Sequence, residues 1–241
     1  MIKVLDKGFV RLEEFSGGDA AVLRAARVSY GSSSVDETRD KKLIKFLLDN
    51  EHGSPREHNL FTFHMKHPIL VARQIIRHRV GISFNEVSGR YTEMKDEFYI
   101  PTVWRAQDTK NKQGSVAADL DHVRLTNILI EGCAEDMARY RAMLSLGVAK
   151  EMARMVLPVN LYTQWYMSMN ARSLMHLISL RSDQHAQAET RQYSHAMALI
   201  FQSVMPWTFE AFADSLRART NRDYTELWAY LDAAKPLTEA K

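Results

Sequence analysis

The stretch Phe61–Tyr91 reads FTFHMKHPILVARQIIRHRVGISFNEVSGRY and carries the fold and the chemistry together. Phe61, Phe63 and Met65 alternate with Thr62, His64 and Lys66, a period of two that predicts a strand with one buried face. Pro68 then opens a helix, because the first helical position tolerates its missing N–H and its fixed φ. Ile69, Leu70, Ala72, Ile75 and Ile76 form the apolar side of that helix, which runs directly into Arg77, His78 and Arg79. Strand and helix signals interleave in this way along the chain. They predict an α+β fold, a mixed sheet packed with long helices in a single domain spanning 1–241.

Beyond the helix lies a polar run rich in hydrogen-bond donors. Arg77, Arg79 and Arg90 offer planar forks suited to phosphate or carboxylate, Ser83 and Ser88 add hydroxyls, and Glu86 can accept from a ring or sugar donor. Basic residues in a last helical turn also complement the helix dipole, which is enough to explain Arg77, His78 and Arg79. It does not explain Glu86, Ser88 and Arg90 at close range. The run therefore predicts a loop that binds a ligand with anionic groups and a hydrogen-bonding ring.

Working outward, residues 2–13 hold two short apolar pieces split by Asp6, Lys7 and Gly8, the pattern of a hairpin. Asp19 is positioned to cap a helix whose Val22, Leu23 and Ala26 share a face, followed by a Gly- and Ser-rich loop at 29–34. Leu43, Phe46 and Leu47 recur at helical spacing within 37–50. Residues 52–58 (HGSPREH) read as a turn. Toward the C-terminus, QDTKNKQGS at 107–115 reads as a mobile loop, 119–146 as a long helix broken by Gly147, and 150–157 as a helix ended by Pro158. On that last helix, Glu151 and Arg154 stand at ion-pair spacing. Leu161–Met169 reads as a strand, Asn170–Arg181 as a helix capped by Asn170, and 186–205 as an amphipathic helix with another after Pro206. The tail 220–241 carries no recognisable motif.

Composition narrows the function. The chain has 241 residues, 46% hydrophobic and 25% charged, enough for a well-buried core. A net charge of +3 argues against a nonspecific nucleic-acid binder and favours small anionic ligands. One cysteine, Cys133, rules out an intramolecular disulfide framework. With neither a signal-type apolar core nor a long apolar span, the expectation is a soluble cytoplasmic protein without a membrane partner.

Arg77-His78-Arg79, eight intervening residues and then Ser88-Gly89-Arg90-Tyr91 resembles the signature of the flavin-dependent thymidylate synthases. RAARVSY at 24–30, NARSLMHLISLR at 170–181 and the HAQ run at His185 extend the likeness over about Leu5–Phe212. The gap is one residue longer than in many members, so the turn between Arg79 and Ser88 is expected to differ locally. The resemblance implies methylation of dUMP to dTMP, with methylenetetrahydrofolate as carbon donor, FAD as hydride carrier and NADPH as reductant. It implies a homotetramer whose sites are shared between subunits. His52, Ser54, Arg77, His78, Arg79, Glu86, Asn170, Ala171, Arg172 and His176 are implied at the flavin. Gln74, Ile75, Ile76, Arg77, Glu86, Val87, Ser88, Gly89, Arg90 and Arg154 are implied at dUMP, with Arg181 polarising the uracil ring.

Two other classes fit less well. A metal-dependent hydrolase would draw on the nine histidines, yet no HExxH or paired histidine–carboxylate motif is present, so no metal is expected and His64 and His67 read as structural. A nucleic-acid module would place Arg77–Arg79 on a recognition helix, against the weak net charge. Cys133 falls inside the long helix with nothing to activate it, and Ser88 has no histidine–carboxylate relay, so neither reads as a nucleophile.

Overall fold

The computed structural model describes residues 1–29, 31 and 36–238, with side chains to 234. Most of the expected loop at 29–34 lies outside the described residues. The N-terminal hairpin pairs β1 (Ile2–Val4) with β2 (Gly8–Ser16), as its split apolar pattern predicts. Helices α1 (Asp19–Arg27) and α2 (Glu37–Asp49) precede β3 (Leu60–Pro68), which passes straight into α3 (Ile69–Ile75). A strand β4 (Ile82–Glu86) and a small hairpin, β5 (Arg105–Gln107) with β6 (Ser115–Ala117), come next. Then follow α4 (His122–Ser145), α5 (Lys150–Ala153) with a short 3-10 turn, β7 (Tyr162–Asn170), α6 (Ala171–Arg181), α7 (Ala188–Val204), α8 (Pro206–Arg217) and α9 (Thr225–Thr238).

The five-stranded sheet has the order β1-β2-β3-β7-β4. The α+β class is as expected, but every pair is antiparallel, so the strand directions are not mixed. Alternation puts Phe61, Phe63, Met65 and His67 of β3 and Trp165, Met167 and Met169 of β7 on one buried face. Helix α7 lies over it, with Phe61 and Phe201 rings 5.8 Å apart and edge-on. Each such buried side chain contributes about 1.5–3 kcal/mol. A second, smaller apolar cluster joins Cys133, Met137 and Tyr140 of α4 to Phe98, Ala153 and Leu161.

Four expectations change. Ile82–Glu86 is a strand, not a loop: Gly81 turns the chain at φ 67°, and the half-buried Ile82 and Phe84 then alternate with exposed Ser83 and Asn85. Residues 107–115 form the end of the β5–β6 hairpin, where the Gln107 amide donates to the carbonyls of Lys112 and Gly114, each at 3.0 Å. Asp19 does not cap α1, whose N-cap is Gly18; its carboxylate accepts from the backbone N–H of Trp207 and Thr208 and so caps α8. The unassigned tail contributes α9, with Leu227 and Leu231 in the main core.

Candidate active site

Two changes of element meet at one cleft. The β3–α3 segment ends in Arg77, His78 and Arg79, and β7 passes without a loop into α6, because the Asn170 side chain accepts from the Ser173 N–H at 2.8 Å and starts the helix. Between them is a cavity of about 740 Å³ lined by Arg77, His78, Arg79, Asn170, Arg172, His176 and Arg181. That size suits an organic cofactor or nucleotide. Seven of the sequence-predicted residues thus come together from segments about a hundred positions apart. Gly81 makes the close approach possible, since a Cβ there would lie 2.8 Å from the Ser173 Oγ.

Arg181 is clamped. Its Nε donates to the His78 Nε2 at 3.0 Å and its Nη1 to the Gln74 Oε1 at 3.4 Å. A neutral His78 is what can accept, and burial, then the charges of Arg181 and His176, lower its pKa to about 4. Three of the five guanidinium N–H groups remain for a ligand. Ile75 is buried beneath Gln74, whereas Ile76 is exposed.

Arg172 is set by the turn at 52–58, which forms a short 3-10 helix, Ser54–His58. Its Nη1 donates to the Glu57 Oε1 at 2.6 Å, and a Cβ on Gly53 would lie 2.7 Å from its Cζ, so a larger residue there would displace the guanidinium. His52 is exposed with its ring edge-on to Phe46, and Ser54 is exposed at the start of the turn. Ala171 is buried at the first position of α6. Glu57, Ser173 and Leu180 also line the cleft and were missed by sequence reasoning, which had no local signal for them.

A second group gathers elsewhere. Gly89 lies against Arg154, whose Cδ would be 3.2 Å from a Cβ there. The Arg90 Nε donates to the Glu151 carboxylate at 2.9 Å, so the expected Glu151–Arg154 side-chain pair is replaced by one that spans 61 positions of the same chain. Arg154 instead reaches the Glu151 carbonyl oxygen. The Ser88 Oγ accepts from the Arg90 N–H at 3.3 Å. Glu86 accepts from the Thr163 hydroxyl at 2.7 Å, and the exposed Val87 donates its N–H to the Gln164 carbonyl. Ser88–Arg90 and Arg154 do not line the Arg181 cleft. Among the described residues no group of three or more His, Cys, Asp or Glu could hold a metal, and no helix is long and apolar enough to cross a membrane.

The model of the thymidylate synthase complementing protein family matches residues 11–207, a span that contains both groups. The chain belongs to this family. Relatives in the family include the flavin-dependent thymidylate synthases of Kosmotoga olearia, 51% identical over 88% of this chain and 92% of theirs, and Thermosipho africanus, 50% identical over 87% and 92%. That of Thermus thermophilus is 46% identical over 95% of this chain and 84% of its own. Among solved structures, a UMP/dUMP methylase from Streptomyces cacaoi bound with 5-Br dUMP superposes with TM-score 0.81 at 34% identity, over 88% of this chain and 97% of that one. The family match therefore covers the cleft, the Ser88–Arg90 segment and the sheet from Arg11 of β2 onward.

Proposed function

We propose that the chain, as one catalytic domain, methylates dUMP to dTMP with methylenetetrahydrofolate as carbon donor, FAD as cofactor and NADPH as reductant. The observation that carries this reading is the clamped Arg181 at the edge of an arginine-rich cleft. The chemistry supplied by bound FAD is hydride storage between reductant and pyrimidine. Everything else falls to the protein's own side chains.

Arg77, Arg79 and Arg172 present cations along the cleft for the phosphates of the flavin, and Asn170, Ala171 and His176 line or border the same helix start. His52, Ser54 and Glu86 complete the proposed flavin contacts. Arg90 and Arg154, backed by Ser88 and Gly89, suit the phosphate of dUMP, with Gln74, Ile75, Ile76 and Val87 along the pyrimidine nucleotide. Arg181 stays protonated and stabilises negative charge on uracil N3 and O2 as C5 becomes nucleophilic. His78 and Gln74 hold it in orientation, so the donors need no rearrangement during reaction. Ser88 binds rather than attacks, since among the described residues its hydroxyl is paired only with the Arg90 N–H.

The separation of the Arg90–Arg154 group from the Arg181 cleft within one chain supports a homotetramer that completes each site between subunits. The modest net charge supports a small-molecule enzyme without a nucleic-acid partner, which we place in the cytoplasm. The purified protein is expected to show oxidised-flavin absorbance that NADPH bleaches, and to form dTMP when dUMP and methylenetetrahydrofolate are added. Reconstitution with FAD that leaves no flavin spectrum would remove the proposal.

A further inference from the structure

The segment at 222–226, which leads into α9, is tied to the end of α6 and to the turn that follows it. The Tyr224 hydroxyl donates to the Ser179 carbonyl at 2.8 Å. The Arg222 Nη1 donates to the Asp183 Oδ2 at 2.8 Å, and the Gln184 N–H donates to the Asp223 carbonyl at 3.0 Å. In the first turn of α9 the Glu226 carboxylate accepts from Nε and Nη2 of Arg191 at 2.8 and 3.0 Å. The Arg191 Nη1 in turn donates to the carbonyls of Gln184 and Ala186. These residues lie beyond the span 11–207 of the family match, so the tie is supplied by sequence outside it.

The contacts bracket Arg181, the last residue of α6, with Ser179 on one side and Asp183 on the other. Ser179 carries one of the carbonyls that a helix C-terminus cannot pair internally, and such ends fray. Tyr224 and Asp183 are both buried, so the hydroxyl and the ion pair act where water competes little. Burial raises the Asp183 pKa, but hydrogen bonds from His185 and Arg222 outweigh it and hold the carboxyl below its ordinary value. A buried carboxylate of this kind depends on its partners. The bonds from Arg181 to His78 and Gln74 fix the guanidinium only while the backbone that carries it stays in place.

We infer that Arg222 and Tyr224 are positioning residues for Arg181, bracing the last turn of α6 so that the guanidinium keeps its orientation in the cleft. They act through the α6 backbone and the Asp183 carboxylate. The inference rests on the reading of Arg181 as the group that polarises the pyrimidine.

Two measurements on the full chain test it, with Tyr224→Phe, which removes one hydroxyl, and Arg222→Met, which removes one charge. The first is hydrogen–deuterium exchange of the backbone at 178–184, which needs no turnover. Both variants are expected to exchange there about tenfold faster or more, with β3 and β7 unchanged. The second uses flavin-loaded enzyme well below its melting temperature. The kcat for dTMP formation is expected to fall about tenfold or more, because a misplacement of about 1 Å is enough for such a loss. The KM for dUMP should change less, and flavin reduction by NADPH should stay at the parental rate. Leu231→Ala, which cuts α9 out of the core without touching the tie, is expected to lower the melting temperature and keep the parental kcat. Parental exchange at 178–184 in both variants, parental kcat in both, or an equal loss of kcat in Leu231→Ala overturns the inference. A parent that forms no dTMP instead refutes the role given to Arg181, and the exchange measurement still decides whether the segment braces it.

Discussion

The Arg181 Nε donates to the His78 Nε2 at 3.0 Å across 103 positions of sequence, joining the last residue of α6 to the turn that follows α3. The bond needs an unprotonated Nε2, and the buried, cation-flanked setting of His78 supplies it by lowering the pKa to about 4. A histidine between two basic neighbours in the sequence thus serves as an acceptor. Its proton belongs on Nδ1, and the orientation of Arg181 depends on that.

Lysine at position 181 keeps the charge and loses the fork. Arg181→Lys is expected to fold and load FAD normally, with dTMP formation reduced a hundredfold or more, in line with the roughly 2.7–4 kcal/mol lost when one preorganised donor set is removed. Flavin reduction by NADPH, measured separately, should change far less. Near-parental dTMP formation would leave Arg181 as no more than a favourable charge at a helix C-terminus.

Acid should destabilise the fold through its buried neutral histidines. His67, fully buried against Trp165, has its pKa lowered by burial to about 3, and His195 likewise to about 4. Below about pH 6.5 the unfolded chain takes up protons that the folded one refuses until these lowered values, so stability falls as pH drops through that window. His67→Phe should flatten part of this slope in melting temperatures measured from pH 7 to 4. An unchanged slope would mean that His67 is not held neutral.

Asp19 accepts from two backbone N–H groups and one hydroxyl at the start of α8, where Met205 offers no side-chain cap. Asp19→Ala should cost about 1–2 kcal/mol in chemical denaturation, the range of a lost N-cap. A loss no larger than that of an ordinary exposed substitution would show that α8 starts without it.

Cys133 is buried, its thiol pKa is raised by burial, and its Sγ takes a contact from the Asn160 amide at 3.2 Å. Cys133→Ala should retain dTMP formation with a stability loss of about 1 kcal/mol, since Asn160 keeps its 3.0 Å bond to the Tyr99 carbonyl. A folded, flavin-loaded variant without turnover would place a thiol in the chemistry.

Sequence by itself determined the elements whose signal is periodic and local. The period of two in β3 and the Asn170 cap of α6 are short-range effects of backbone geometry and appear in the structure at the expected residues, while Pro68 ends β3 in extended backbone as the N-cap of α3, one residue before the first helical position expected for it. The same alternation at Ile82 and Phe84 was legible but masked by the polar residues between them. Only the tertiary structure decided what joins distant positions. Arg90 meets Glu151 across 61 positions, Arg172 meets Glu57 across 115, and Asp19 reaches the α8 start across 188. No local pattern encodes such partners, because a carboxylate three residues from an arginine competes with any other that the fold brings near. The burial of the Arg56 Nε and Nη1 with no hydrogen-bond partner among the described residues is of the same kind, since an arginine in a turn reads as solvated until the elements around it close over it.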